Sequence, residues 1–139
     1  MKSTICKIAI SVILSCFILF PLSAKQLFVS PEGDDSADGS SSGNAFKTLS
    51  KAVDAAEEGD EIVLLGIIDI SQEPADKIYN SDAYNKNNQG VKILDKGLTI
   101  SGDPNQTRTK TGFTGNKTTT CLRLDGLNKK VTIRNLTIK

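Results

Sequence analysis

The sequence predicts a mostly β chain, in which short parallel strands stack as a solenoid and a short helix closes one end. Three observations predict it. Ile62-Val63-Leu64-Leu65 is a dense apolar run of the kind buried on both faces of a parallel sheet. Phe46, Leu49, Val53 and Ala56 recur at spacings of three and four, so they fall on one helix face. Leu98-Thr99-Ile100-Ser101-Gly102 and Leu122-Arg123-Leu124-Asp125-Gly126 share an apolar-x-apolar-x-Gly pattern at an offset of 24 residues, a plausible solenoid repeat.

Residues 1–24 read as a secretory signal peptide. Lys2 and Lys7 make the basic start, Ile8 to Phe20 is largely apolar, and Pro21-Leu22-Ser23-Ala24 ends in a small residue. Cleavage is expected after Ala24, although Leu22 is large for its position three residues before the cut. Two alternatives stay open: an uncleaved membrane anchor, for which the apolar run is short, and lipid attachment at Cys16, against which the apolar run Phe17 to Phe20 argues. Cleavage after Ala24 leaves 115 residues and, with two lysines lost, a formal charge of −1. Cys121 then remains as the single cysteine, so no intrachain disulfide forms.

Residues 25–60 read as strand, loop and capping helix. Leu27-Phe28-Val29 is strand-forming, and Pro31 and Gly33 end it. Gly33 to Gly43 carries Asp34, Asp35, Asp38 and several serines, which is loop chemistry. The helix of about three turns then presents its apolar face, widened by Ala52 and Ala55, while Lys47, Lys51, Asp54, Glu57 and Glu58 fall largely on the other side. Gly59 is placed as a left-handed helix cap. Such a helix is unstable alone in water. It needs a surface to cover, and an open coil end provides one.

Residues 61–139 read as coils. The polar stretch 71–90 holds Tyr79 and Tyr84, the two tyrosines of the chain. They serve either a sugar-stacking loop or, by the preferred reading, packing onto the coil below. Asp103 to Thr120, with Gly112 and Gly115, reads as a long loop between coils. Val131 to Ile138 reads as two short strands bent at Asn135, a residue tolerant of left-handed geometry. The 24-residue offset gives about four coils. Lys139 follows a strand directly, which suggests a fragment of a longer protein or an end paired with another chain.

The stretch VSPEGDDSADGSSSGNAFKTLSKAVDAAEEGDEIVLLG, Val29 to Gly66, resembles the opening of bacterial right-handed parallel β-helix proteins of the pectate-lyase-like type. Ala45 stands where that family usually has proline, and Leu64-Leu65-Gly66-Ile67 departs from its usual L-x-P-G-x-Y. The Val131 to Ile138 stretch also resembles the coils of that family. The resemblance implies a right-handed single-stranded parallel β-helix with a short N-terminal capping α-helix. It also implies a secreted, periplasmic or outer-membrane cell-surface protein, similar to polymorphic outer-membrane-protein and adhesin-type repeats.

Composition narrows the chemistry. Lys and Arg total 17 against 16 acids, so nothing favours nucleic acid. The chain lacks histidine, which excludes Ser-His-Asp and Cys-His catalysis within it. Asp34, Asp35 and Asp38 are weak calcium candidates; a solvated acidic turn is the preferred reading. The run Asp54, Glu57, Glu58, Asp60, Glu61 reads as solvated surface, and Cys121 as a small core residue. Many proteins of the resembled class are polysaccharide lyases or glycoside hydrolases. In the lyases a Lys or Arg removes the proton beside a uronate carboxylate, so Arg123 with Asp125, or Lys96 with Asp95, could be cast in that role. Their spacing does not set them apart from surface residues, and we assign no catalytic, cofactor or metal residue. The expectation is a non-catalytic binding or adhesin-like module for a polysaccharide or surface partner. The alternative is the first part of a polysaccharide lyase or glycoside hydrolase whose site lies beyond this chain.

Overall fold

The computed structural model describes residues 24–74, 76–77, 90–117, 120–125 and 128–139. Residues 1–23, within which nearly all of the expected signal peptide falls, and Tyr79, Tyr84 and Gly126 lie outside the described residues. The chain is mostly β, with short strands in parallel sheets and little helix. Strands β1 (Gln26–Val29), β2 (Glu61–Leu64), β5 (Thr99–Gly102) and β8 (Thr132–Arg134) form one sheet in that order. Strands β3 (Ile67–Asp69), β6 (Gly112–Thr114) and β9 (Thr137–Ile138) form a second, and β4 (Val91–Leu94) and β7 (Leu122–Asp125) a third. Every pairing of these strands is parallel. From β2 onward the chain visits the three sheets in one cyclic order: β2, β3, β4, then β5, β6, β7, then β8, β9.

Alternation along each strand sends every second side chain inward. Leu27, Val29, Ile62, Leu64, Ile68, Val91, Ile93, Ile100 and Phe113 therefore meet in a single core. Stacking is direct: Leu27 lies beside Ile62, Ile62 beside Ile100, Ile68 beside Phe113. β2 is flanked on both edges, and Ile62, Val63 and Leu64 are all buried, as its dense apolar sequence requires.

The lid helix differs from its expected length. α1 spans Leu49–Ala55, two turns rather than three. Phe46 and Ala56 are buried with Leu49, Ala52 and Val53, but they flank the helix. The reason lies in competing backbone partners. Phe46 N–H donates to Phe28 O (2.9 Å), and Ser30 N–H donates to Phe46 O (2.9 Å), which pins Phe46 in an extended bridge beside Val29. Thr48 then caps the helix, its side chain accepting from Lys51 N–H. At the other end the Lys96 ammonium donates to Val53 O (2.9 Å) and Ala56 O (2.6 Å), holding carbonyls that the helix leaves free. Gly59 has a positive φ of 88°, yet it sits in the turn before β2 and is not the helix cap.

Two further expectations change. The 24-residue offset is not a structural repeat: Thr99–Gly102 belongs to the four-stranded sheet and Leu122–Asp125 to the two-stranded one. Glu61 pairs with Thr99 and Thr99 with Thr132, separations of 38 and 33 residues. An apolar-x-apolar pattern marks a strand in any sheet, so similar strands mimicked a period. The stretch 103–120 is also more than a loop, since it contains β6. There Gly112 has φ 147°, and its backbone lies so close to Thr137 that a Cβ would strike the Thr137 carbonyl. The bend at Asn135 is as expected, with φ 51° between β8 and β9.

Candidate functional site

The face of the four-stranded sheet turned away from the core carries two rows of side chains. Register places Gln26, Glu61, Thr99 and Thr132 in one row and Phe28, Val63, Ser101 and Arg134 in the next. Glu61 joins the rows. Its carboxylate accepts from Ser101 Oγ (2.7 Å), Arg134 Nη2 (2.6 Å) and Gln26 Nε2 (3.1 Å). Burial pushes this carboxyl upward, but the combined hydrogen bonds and the Arg134 charge outweigh it and hold it below the usual glutamate range. Two concave regions share Gln26 and Glu61: one of about 960 Å³ toward Phe28, Asp38 and Ser40, and one of about 160 Å³ toward Pro104 and Asn135. The arrangement offers an amide, hydroxyls, one carboxylate and one guanidinium across an open surface. Such groups donate and accept hydrogen bonds in both directions. They suit a hydroxyl-rich ligand better than a strongly charged one.

The acidic loop is tied to its own backbone. Asp34 Oδ1 accepts from Ser36 N–H (2.8 Å), and Asp38 Oδ1 from Ser40 N–H (2.9 Å) and Oγ (2.7 Å). These local hydrogen bonds hold both carboxyls below their ordinary value. Asp35 turns elsewhere: it accepts from Lys47 N–H, Thr48 N–H and Thr48 Oγ1 and so anchors the start of α1. Among the described residues no three acidic, cysteine or histidine side chains gather as a metal site.

The acidic run after α1 is not uniformly solvated. Asp54 is exposed and paired with Lys77 at 2.7 Å. Glu58 accepts from Gly97 N–H at 3.0 Å. Asp60, by contrast, is buried and accepts from Lys25 N–H (3.0 Å) and Glu57 N–H (2.8 Å). The lyase-like pairs are engaged structurally. Arg123 Nε reaches both Asp125 oxygens (3.0 and 2.9 Å), with Lys92 Nζ at 3.4 Å, and the Arg123 hydrogen bond leads in holding Asp125 low. Lys96 is spent on the helix end, and Asp95 N–H donates to Asp125 O. Cys121 is buried, and burial pushes its thiol up, which disfavours the reactive thiolate.

Sequence reasoning missed two groups. Glu73 is buried 24 residues beyond the helix start, yet it accepts from Leu49 N–H (2.6 Å), Ser50 N–H (3.1 Å) and Ser50 Oγ (2.5 Å). The cluster of Gln26, Glu61, Ser101 and Arg134 draws on four strands and two rows, and only the true strand register could have assembled it.

No protein-family model, curated protein or solved structure matches this chain. Among the described residues no helix is long and apolar enough to cross a membrane.

Proposed function

We propose that this chain is an exported right-handed parallel β-helix protein or fragment with a helical cap, acting as a non-catalytic binding module at the cell surface or outside it. The face that binds is the outer side of the four-stranded sheet, and the ligand is a polysaccharide or a hydroxyl-rich surface partner. The cyclic visiting of three parallel sheets supports the helical reading. The Gln26–Glu61–Ser101–Arg134 cluster, open between two concavities, is the observation that carries the binding reading. The leader pattern in residues 1–24 supports export.

Glycan arrays and calorimetry on the exported protein test it. Binding of neutral or uronate polysaccharide is expected. The R134A and Q26A variants should weaken it without changing the melting temperature by more than a few degrees. Loss of these side chains with no change in binding moves the site elsewhere. Unsaturated sugar ends, seen by ultraviolet absorbance after incubation with polyuronates, overturn the non-catalytic reading in favour of a lyase.

A further inference from the structure

We infer that the bond between Ala24 and Lys25 is the processing site, and that the α-ammonium it frees locks onto the buried carboxylate of Asp60. The inference rests on the export reading above and goes beyond it.

Lys25 is where the parallel ladder begins. Its carbonyl accepts from Glu61 N–H (3.0 Å), and its backbone nitrogen lies 3.0 Å from Asp60 Oδ1. Ala24, one residue earlier, is exposed. Asp60 has 5% of its side chain accessible, and its other oxygen accepts from Glu57 N–H. The Lys25 side chain turns to the same place: its ammonium lies 3.6 Å from Asp60 Oδ2, 4.0 Å from Glu57 Oε1 and 3.3 Å from Ala55 O at the end of α1. Asp60 thus faces the Lys25 backbone nitrogen, and Asp60, Glu57 and the carbonyl end of the helix face its side-chain ammonium.

In the precursor, Lys25 N is an amide with one hydrogen and no charge. Hydrolysis by a signal peptidase consumes one water. The hydroxyl goes to the Ala24 carbonyl carbon and the hydrogen to the Lys25 nitrogen; the new acid then ionises and the amine takes up a proton. The nitrogen that already donates to Asp60 thus acquires a full positive charge at an unchanged position. A charge-assisted hydrogen bond is roughly twice as strong as a neutral one. The buried carboxylate gains a second positive charge beside the Lys25 side-chain ammonium it already pairs with. A cut one residue earlier or later leaves the ammonium off this carboxylate. Processing thereby tightens the join between β1, the end of α1 and the start of β2.

The exported full-chain product is isolated and its intact mass measured, and its α-amine is labelled with an acylating reagent near neutral pH. The mass should place the first residue at Lys25. The α-amine should react at least about tenfold more slowly than a free peptide amine, since only the unprotonated form reacts and Asp60 holds the protonated one. D60N should restore fast labelling. One alanine inserted between Ala24 and Lys25 should lower the melting temperature in the wild-type background and have no such effect beside D60N. An uncut chain overturns the export reading and this inference together. A cut chain starting elsewhere, or one whose α-amine labels at the free-peptide rate, overturns this inference alone.

Discussion

The two ends of the strand stack are built differently. At one end the outer edge of β1 meets backbone: Phe28 N–H donates to Gly39 O, Phe46 N–H to Phe28 O, and Ser30 N–H to Phe46 O. Side chains of α1 and Phe46 close over the core, and Leu49 is fully buried. At the other end lie β7, β8 and β9, whose outer edges pair with no strand among the described residues. Leu124 stacks on buried Ile93, Ile133 on buried Ile100 and Ile138 on buried Phe113, yet these three are 39%, 40% and 58% exposed. Inward-pointing residues of like chemistry thus differ in burial because only one side of the last strands is covered. The difference teaches that stability here is carried by stacking from both sides, with the cap standing in for a missing neighbour.

The largest expected effect breaks the covered side. Phe113 is completely buried between Ile68 and Ile138, so Phe113→Ala should cost about 3–5 kcal/mol in urea unfolding. Leu49→Ala, in the lid, should cost about 2–5 kcal/mol. A lid substitution that costs little would mean that α1 only rests on the stack and does not close it.

Glycines sharpen the comparison next. A Cβ on Gly33 would strike the carbonyls of Ala45 and Phe46, both fixed by the cap, and one on Gly102 would strike the carbonyl of Asn135 at the uncovered end. Gly33→Ala should cost about 1–3 kcal/mol or more. Gly102→Ala should cost less, because the β8–β9 bend is held from one side alone. Thermal unfolding of the two variants under one condition tests the order, and equal costs would show the ends to be equally rigid.

The lid also has a pH signature. Burial leads in raising the Glu73 carboxyl above the ordinary glutamate value of 4.5, and the Asp35 charge adds to this against the three hydrogen bonds from Leu49 and Ser50. A raised folded value means that the folded state binds the proton more tightly. Glu73 therefore favours folding below about pH 4.5 and loses that contribution as pH rises through its folded value. The stability of wild type minus that of Glu73→Gln should fall as pH rises above about 4.5. A flat or rising difference would remove Glu73 as a strained anchor of α1.

Much of this architecture was legible because it rests on local patterns. The apolar run 62–65 fixed β2, the Phe46–Ala56 spacing found the buried face of the lid, and Asn135 marked its bend. What escaped depends on long-range partners. Phe46 left the helix because β1 offered its backbone hydrogen bonds from 18 residues away. Glu73 lay in a polar stretch whose only message was loop, and its role needs the folded position of the α1 start. The outer cluster needed registers of 35, 38 and 33 residues, and no single period predicts three unequal offsets.

The smallest effect tests the uncovered end itself. Burying a whole isoleucine side chain contributes about 1.5–3 kcal/mol, and Ile138 keeps less than half of its surface from water. Ile138→Ala should therefore cost about 1 kcal/mol or less, and Ile133→Ala slightly more at 40% exposure. Their buried stacking partners provide the contrast: Ile100→Ala should cost about 2–5 kcal/mol in the same buffer. If Ile133→Ala matches Ile100→Ala, something covers the end in solution. Repeating the melt over a hundredfold range of protein concentration then identifies it, because only a second copy of the chain makes the melting temperature rise with concentration.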